Sequence, residues 1–324
     1  MQPSPLPEEL AAGPFSTARA RELGLTASRL RRGDLEHPTR GAHVCTPPST
    51  LATRAAAYSV GMPSDRAFSH VTSAVLQSFP LPTLLEEEAS TGPLHVMART
   101  KDGRVLRKGC AGHRGLELRS TLELAGVRVV GPADTWVDLG ELRRGRLTLD
   151  DLVVVGDAVV ARVDQQSGIE VPSGSRTSPG TRALQEALHA RVRPRGKVLL
   201  RQALELIRPR VRSPMETRAR LMFVRAGFPE PEPGGVVRDE TGEFLAEGDL
   251  VWRRERVIAE YQGADHAPIG RRSIDANRRD LLEDMGWFVR ELFAEDVYRR
   301  PRRITTMEAV ARMLGLDPST LMIT

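Results

Sequence analysis

The stretch VIAEYQGADH, residues 257 to 266, constrains the fold more than any other part of the chain. Its apolar and β-branched start predicts a strand that is buried in a sheet. The strand ends in Glu260, Gln262 and His266. An acid in an otherwise apolar run is either on the solvated face or bound to something. We therefore predict a functional site at this end of the strand.

The segments around this strand predict an ordered domain over residues 209–324. Ser213 begins the helix SPMETRARLMFVRAG, and Glu216 follows the cap by three residues, which is the spacing of a capping box. GGVVRD and EFLAEGDLVW pair as a hairpin, and RVIAEYQ, a helix, WFVREL and a closing helix follow. The order α-β-β-β-α-β predicts a mixed sheet with helices on its faces.

Two acids lie near the ends of neighbouring strands of this domain, Asp249 on the second and Glu260 on the third. Neighbouring strands are about 4.8 Å apart, so both carboxylates can converge on one hard cation. Such a cation neutralises charge on phosphoryl oxygens and generates a hydroxide nucleophile. The sequence therefore predicts a Mg²⁺ (or Mn²⁺) site suited to phosphodiester hydrolysis.

Roughly residues 210 to 300 resemble the PD-(D/E)XK nuclease superfamily, in its branch of very-short-patch-repair endonucleases. AEYQGADH is similar to an E-x-D-G-x-x-H stretch of that branch, and LLEDMGWFVR to its L-x-x-x-G-W-x-V-x-R element. The resemblance implies a restriction-endonuclease-like sheet with Asp249 as the principal metal ligand and Glu260 as the second. It also implies that Glu216 binds the metal-bound water or a second ion, and that His266 acts as general acid or base or orients the water.

The helix after the third strand is implied to hold the substrate backbone or to support the sheet edge, through Asp275, Arg278 and Arg279. Gln262 departs from the superfamily, whose members usually have Lys there, while the closer relatives tend to have Asp. A neutral amide positions a water, but it does less for an oxyanion or a metal. Structural roles stay open as well, because Glu216 satisfies a capping box and a basic helix face can simply be solvated.

The stretch PFSTARARELGLTASRLRRGDLEHPTRGAHVCT predicts a winged helix-turn-helix over residues 1–50. Thr26 caps the second helix, and the run to Val44 forms the wing. In such modules the second helix enters the major groove. A helical hairpin with a solvated basic face is the alternative. The predicted nucleic-acid-binding residues are Ser28, Arg29, Arg31 and Arg32.

About the first 45 residues resemble the N-terminal winged-helix domain of AbiEi-family type IV antitoxins. The middle region, with SHVTSAVL, GVRVVGPADTWVDL and DDLVVVGDA, is similar to that of actinobacterial relatives of those antitoxins. The resemblance implies DNA binding and allows a toxin protein as a partner. A non-catalytic transcriptional regulator that retains a nuclease fold is therefore the alternative to a DNA endonuclease.

The middle of the chain offers no catalytic constellation in its sequence. Residues 51–162 predict a mixed α/β domain, 163–181 a Ser, Gly and Pro-rich linker, and 182–208 a helical connector. Asp138, Asp150, Asp151 and Asp157 fall where helix caps and solvated faces would place them. His70 and His95 are expected to be structural, because no partner stands at ligand spacing.

The predicted elements together indicate an α/β (α+β) multidomain protein. The chain has 324 residues, which predicts two or three domains, and a net charge of +5 with a pI of 9.7, which suits a phosphate-bearing partner. No apolar run approaches the roughly 20 residues that span a bilayer, and the start lacks signal-peptide features, so a cytoplasmic location is expected. Cys45 and Cys110 are too few for a cysteine-based zinc site, and Cys45 is expected to be buried.

Overall fold

The computed structural model describes residues 4–142, 145–263 and 279–323, as a mixed α/β chain with three sheets. The chain divides into two compact units, each built from two segments. Unit 1 comprises Met1–Leu147 and Glu186–Leu200, and unit 2 comprises Thr148–Gln185 and Arg201–Thr324. No helix in the described part of the chain is long and apolar enough to cross a membrane.

The N-terminal part of unit 1 contains three short helices and one antiparallel strand pair. These are α1 (Glu8–Ala11), β1 (Phe15–Ser16), α2 (Thr17–Glu22), α3 (Ala27–Leu30) and β2 (Ala42–His43). Thr26 caps α3 as predicted, and Ser16 caps α2, each through a side chain that accepts a backbone N–H. Helix α3 ends at Leu30, so Arg31 and Arg32 of the predicted second helix follow its end.

The rest of unit 1 is a five-stranded mixed sheet with helices. Its elements are α4 (Leu51–Ser59), β3 (Arg66–Phe68), α5 (His70–Leu76), α6 (Thr83–Thr91), β4 (Leu94–Ala98), β5 (Cys110–Arg114), β6 (Thr121–Leu124), β7 (Val127–Val130) and α7 (Pro132–Gly140). The strand order is β5-β4-β3-β7-β6, with β4/β5 and β3/β7 parallel. Leu116–Leu118 form a 3₁₀ turn, which the chain enters at Gly115 in the left-handed region, at φ 104°.

Unit 2 holds the four-stranded sheet that the sequence predicts. Two helices, α9 (Pro179–His189) and α10 (Lys197–Leu206), contain the unit boundaries. The other elements are α8 (Leu149–Ser167), α11 (Pro214–Arg225), β8 (Glu232–Arg238), β9 (Phe244–Trp252), β10 (Val257–Tyr261), α12 (described over 279–284), β11 (Phe288–Leu292), α13 (Ala294–Tyr298) and α14 (Arg300–Met313). The strand order is β11-β10-β9-β8, with β10/β11 parallel and the other pairs antiparallel.

Both faces of this sheet are covered by apolar side chains, as the alternation of its strands predicts. One face packs Leu250 and Ala259 with residues of α11 and α14, including Phe223 and Val310. The opposite face packs Val251 and Ile258 with Leu282 of α12 and with Trp287. The end of β10 that carries Glu260 therefore projects from a sheet that is fixed on both sides.

Helix α8 belongs to unit 2, which places the domain boundary earlier than the predicted residue 162. Its Asp157 is 1% exposed and accepts hydrogen bonds from the Arg208 amide (2.8 Å), the Thr217 hydroxyl (2.8 Å) and the Arg220 guanidinium (3.0 Å). Asp138 is likewise buried, beside Arg119. The expectation that acids at these positions serve helix caps or solvated faces was wrong for both Asp138 and Asp157, because each is buried against an arginine.

The predicted linker 163–181 also differs from the structure. Helix α8 continues to Ser167, and α9 begins at Pro179. Between them the Ser173 hydroxyl donates to Glu232 Oε2 (3.1 Å) and accepts the Val236 amide (3.1 Å). A segment rich in Ser, Gly and Pro is here attached to the edge of the sheet.

Replacement of Asp157 by Ala is expected to destabilise unit 2 by about 3 kcal/mol, because the buried Arg220 guanidinium loses its nearer carboxylate at 3.0 Å and keeps only Glu230 at 3.4 Å. Urea-induced unfolding measures the loss. Asp150→Ala on the same helix is the matched control, since its pair with Arg225 is exposed and worth about 1 kcal/mol or less. Equal losses in the two variants would contradict the role given to Asp157.

Candidate functional site

Asp249 lies on β9 where the regular pairing with β10 stops. The last register pair is Ala259 with Leu250. Beyond it the backbone N–H of Tyr261 donates to Asp249 Oδ2 at 2.7 Å. The acceptor of this N–H is therefore a side chain and not a strand carbonyl. The carboxylate of Asp249 is thereby held against the backbone directly after Glu260.

Glu216 lies in the first turn of α11 and is 6% exposed. Its amide donates to Ser213 Oγ at 3.2 Å, as the predicted cap requires, and its carboxylate accepts the Arg212 amide at 2.9 Å. Burial and, next to it, the negative charge of Asp249 together raise the pKa of Glu216 to about 7, against the opposing effect of Arg212. Glu216 and Asp249 are therefore close enough to repel each other when both are ionised.

Glu260 has an acidic neighbour that the sequence did not reveal. In the parallel β10/β11 pair Glu260 is in register with Glu291. By strand alternation both extend the face of Ile258 and Val289, which packs towards α12. Arg279 of α12 forms an ion pair with Glu291 at 3.1 Å. The alternation of residues along β11 places Glu291 on the same face as Val289, and this could have been predicted from the sequence. Only the strand register shows that Glu291 lies beside Glu260.

The arrangement permits a divalent cation, although not with all three predicted acids as direct ligands. Among residues 4–142, 145–263 and 279–323, one set of three or more His, Cys, Asp or Glu residues has ligand atoms all within 4.8 Å of one another, and it lies in unit 1. Glu216, Asp249 and Glu260 do not form such a set. Mg²⁺ takes one or two carboxylates and keeps several waters. Two of the three carboxylates would fit that donor set, with the third acting through water.

The remaining predicted catalytic residues are only partly described. Gln262 is half-buried. Its backbone N–H donates to the Leu292 carbonyl at 2.7 Å, which extends the β10/β11 ladder. His266, Asp275 and Arg278 lie outside the residues that the structure describes. Arg279 is described, and it pairs with Glu291.

The predicted DNA-binding residues differ in exposure. Ser28, Arg31 and Arg32 are exposed. The Arg29 side chain is only 11% exposed, because its guanidinium forms a bidentate pair with Asp34 (2.8 and 3.0 Å) and donates to the Ser4 carbonyl (2.8 Å). Arg29 is thus engaged within the N-terminal module, whereas Arg31 and Arg32 face solvent.

One other expectation for unit 1 was wrong, because Cys45 is exposed. His70 and His95 were expected to be structural, since the sequence places no partner at ligand spacing. The fold nevertheless brings His113 beside both of them, and these three residues form the compact ligand set of unit 1. His113 stands 18 residues from His95, so no spacing rule for metal ligands identifies it.

Comparison with known proteins leaves the family open. No family model matches the chain. Two Mycobacterium tuberculosis proteins, uncharacterized protein MT2308 and uncharacterized protein Rv2248, are each 32% identical over 126 residues, 37% of this chain and 46% of the relative. The match thus spans less than half the length of these relatives. The crystal structure of the RV2827C protein from Mycobacterium tuberculosis is 18% identical, with a TM-score of 0.33 over 60% of this chain and 78% of that chain.

The raised pKa of Glu216 predicts a loss of stability with rising pH. Its folded-state value of about 7 lies above the ordinary value of 4.5, so the folded state keeps the proton that the unfolded state releases. Stability of the wild type relative to Glu216→Gln should fall from pH 4.5 to about 7 and then level off, by roughly 3 kcal/mol in total. Urea titrations between pH 4.5 and 8 measure this difference, and parallel curves for the two proteins would refute it.

Proposed function

We propose that this chain is a DNA-binding protein whose C-terminal sheet carries a Mg²⁺-dependent endonuclease site for phosphodiester hydrolysis. The observation that carries the proposal is the interacting pair Glu216 and Asp249, placed beside the acidic end of β10. The pKa of Glu216 is raised by burial and by the charge of Asp249, so a cation at this end of the sheet would favour ionisation of both carboxylates. The resemblance to the PD-(D/E)XK superfamily supports the same role for these positions.

The proposed mechanism assigns a distinct task to each acid. When bound, Mg²⁺ would supply the Lewis acid that stabilises charge on the phosphoryl oxygens. Asp249, fixed by the Tyr261 amide, would hold the ion, with Glu260 as the second carboxylate. Glu216 has a pKa of about 7, which suits it to accept a proton from a water at neutral pH. Gln262 positions that water by hydrogen bonds, and His266 acts as general acid or base.

The replacement Asp249→Asn is expected to lower DNA cleavage at least about 100-fold, because it removes the charge that binds the ion. The asparagine oxygen can still accept the Tyr261 amide, so the strand ends should keep their arrangement. Purified protein is incubated with Mg²⁺ or Mn²⁺ and a panel of single-stranded, double-stranded and mismatched DNA, and cleavage rates are compared.

Glu243→Gln is the matched control, an exposed acid on the same hairpin, and it should cleave as the wild type does. Failure of the wild type to cleave any of these substrates would overturn the endonuclease proposal. Equal cleavage by Asp249→Asn would overturn the assigned site.

The second candidate is a non-catalytic transcriptional regulator that uses the N-terminal module to bind DNA, with a toxin protein as a further partner. The exposure of Ser28, Arg31 and Arg32 directly after the Thr26 cap favours it. Gln262 favours it too, since this position lacks the charge usual in active relatives. In this role the C-terminal sheet serves as a binding platform.

The double replacement Arg31→Ala, Arg32→Ala is expected to weaken DNA binding and to reduce the salt slope, log K against log salt, by about 1 for each phosphate that the protein no longer neutralises. Gel-shift titrations at several salt concentrations measure both quantities. Arg182→Ala with Arg193→Ala removes the same charge from exposed positions elsewhere. If both double variants behave alike, the N-terminal module does not bind the phosphates.

A further inference from the structure

Three histidines from separate elements of unit 1 meet on one side of its five-stranded sheet. One nitrogen of each of His70, His95 and His113 lies within 4.8 Å of the others. His95 Nδ1 is 3.0 Å from His113 Nε2, and the rings of His70 and His113 stack at a centroid distance of 3.7 Å. We propose that this cluster, the histidine triad, binds a divalent transition-metal ion, with Zn²⁺ as the natural choice. It is separate from the carboxylates of unit 2.

The sheet itself fixes the spacing of the triad. In the parallel β4/β5 pair, His95 is in register with Ala111 and His113 with Met97. His95 and His113 are therefore offset by two residues, and residues two apart share a face of the sheet. His70 begins α5 directly after β3, the other neighbour of β4, and the Ser69 amide donates to the His95 carbonyl at 2.9 Å. Three independent backbone segments thus converge on this point.

The backbone of His70 is in the left-handed region, with φ of 49°. That conformation is uncommon for residues other than glycine, and it persists where the surroundings force it, often at functional sites. It places the imidazole on the ring of His113. His70 Nδ1 lies 3.0 Å from the Ser69 hydroxyl, a contact that orients one ring nitrogen as neighbours of metal-binding histidines do.

The chemistry of the three rings suits a transition metal. Burial lowers the pKa of all three imidazoles, well below the ordinary value for His70 and to about 4 for His113. Neutral imidazole is the form that binds a metal, and nitrogen donors select Zn²⁺, Cu²⁺ or Ni²⁺ over Mg²⁺. Tetrahedral zinc ligands are about 3.4 Å apart. The 3.0 Å between His95 and His113 needs to widen by only a few tenths of an ångström.

A three-histidine site leaves one coordination position for water or an anion. The triad borders a cavity of about 350 Å³ that His70 and His113 line. Arg119 at its wall is already paired with Asp138 at 2.7 Å, which reduces its repulsion of a cation. The further basic residues of the cavity, which would attract an anion to the open position, are Arg104, Arg114 and Arg195.

The test titrates the untagged full chain with Co²⁺ and Zn²⁺ after dialysis against chelator. The wild type should bind one Co²⁺ with the visible absorption band of a tetrahedral nitrogen site, and Zn²⁺ should abolish the band and raise the melting temperature. The separate variants His95→Gln and His113→Gln should each weaken Co²⁺ binding at least about 100-fold. His189→Gln, an exposed histidine outside the triad, should bind as the wild type does.

Circular dichroism establishes whether each variant is folded. If His113→Gln does not fold, the test uses His95→Gln, because His95 is only half-buried. Absence of the band in the wild type would overturn the proposal. Its persistence in folded His95→Gln or folded His113→Gln would overturn it as well. Both readouts are independent of DNA cleavage, so failure of the endonuclease proposal leaves this test unchanged.

Discussion

The buried contact between Asp157 and Arg220 fixes helix α11, and with it the carboxylate of Glu216. Arg220 also reaches Glu230 at 3.4 Å, just before β8, and Arg208 pairs with the same acid at 2.8 Å. Such buried pairs add little net stability, because desolvation offsets most of the attraction. Their effect here is positional: they hold the start of α11 and the approach to β8 in one arrangement. The proposed site depends on that arrangement, since Glu216 lies in α11 and Asp249 lies on β9, the strand that pairs with β8.

Two buried acids of unit 2 illustrate how structural and functional carboxylates differ. Burial raises the pKa of both Asp157 and Glu216. Asp157 is compensated by an arginine and two further donors, whereas the largest charge effect on Glu216 is the repulsion by Asp249. An acid surrounded by donors is satisfied, but an acid beside another acid still needs a cation or a proton. That difference in surroundings distinguishes the candidate site from the ion-pair network next to it.

The local signals of the sequence were sufficient for much of unit 2. The Ser213 cap, the β8/β9 hairpin and the run VIAEY are each encoded within a few residues, and all three are found in the structure. Features that depend on the register between distant strands could not be predicted from the sequence. Glu291 is adjacent to Glu260 only because β10 and β11 pair in parallel, and His113 joins His95 only because β4 and β5 do. The grouping of α8 with unit 2 likewise rests on a contact across 63 residues.

The two proposed metal sites differ in donor chemistry, and this difference governs how metal dependence should be interpreted. Carboxylate oxygens with retained waters suit Mg²⁺, whereas three neutral imidazoles suit a softer ion. A chelator removes both ions, so loss of cleavage in chelator would not say which site matters. Restoration by Mg²⁺ alone would locate the chemistry at the carboxylates of unit 2, because imidazoles bind Mg²⁺ poorly. A further requirement for Zn²⁺ would instead assign the histidine triad a structural or regulatory part in the activity.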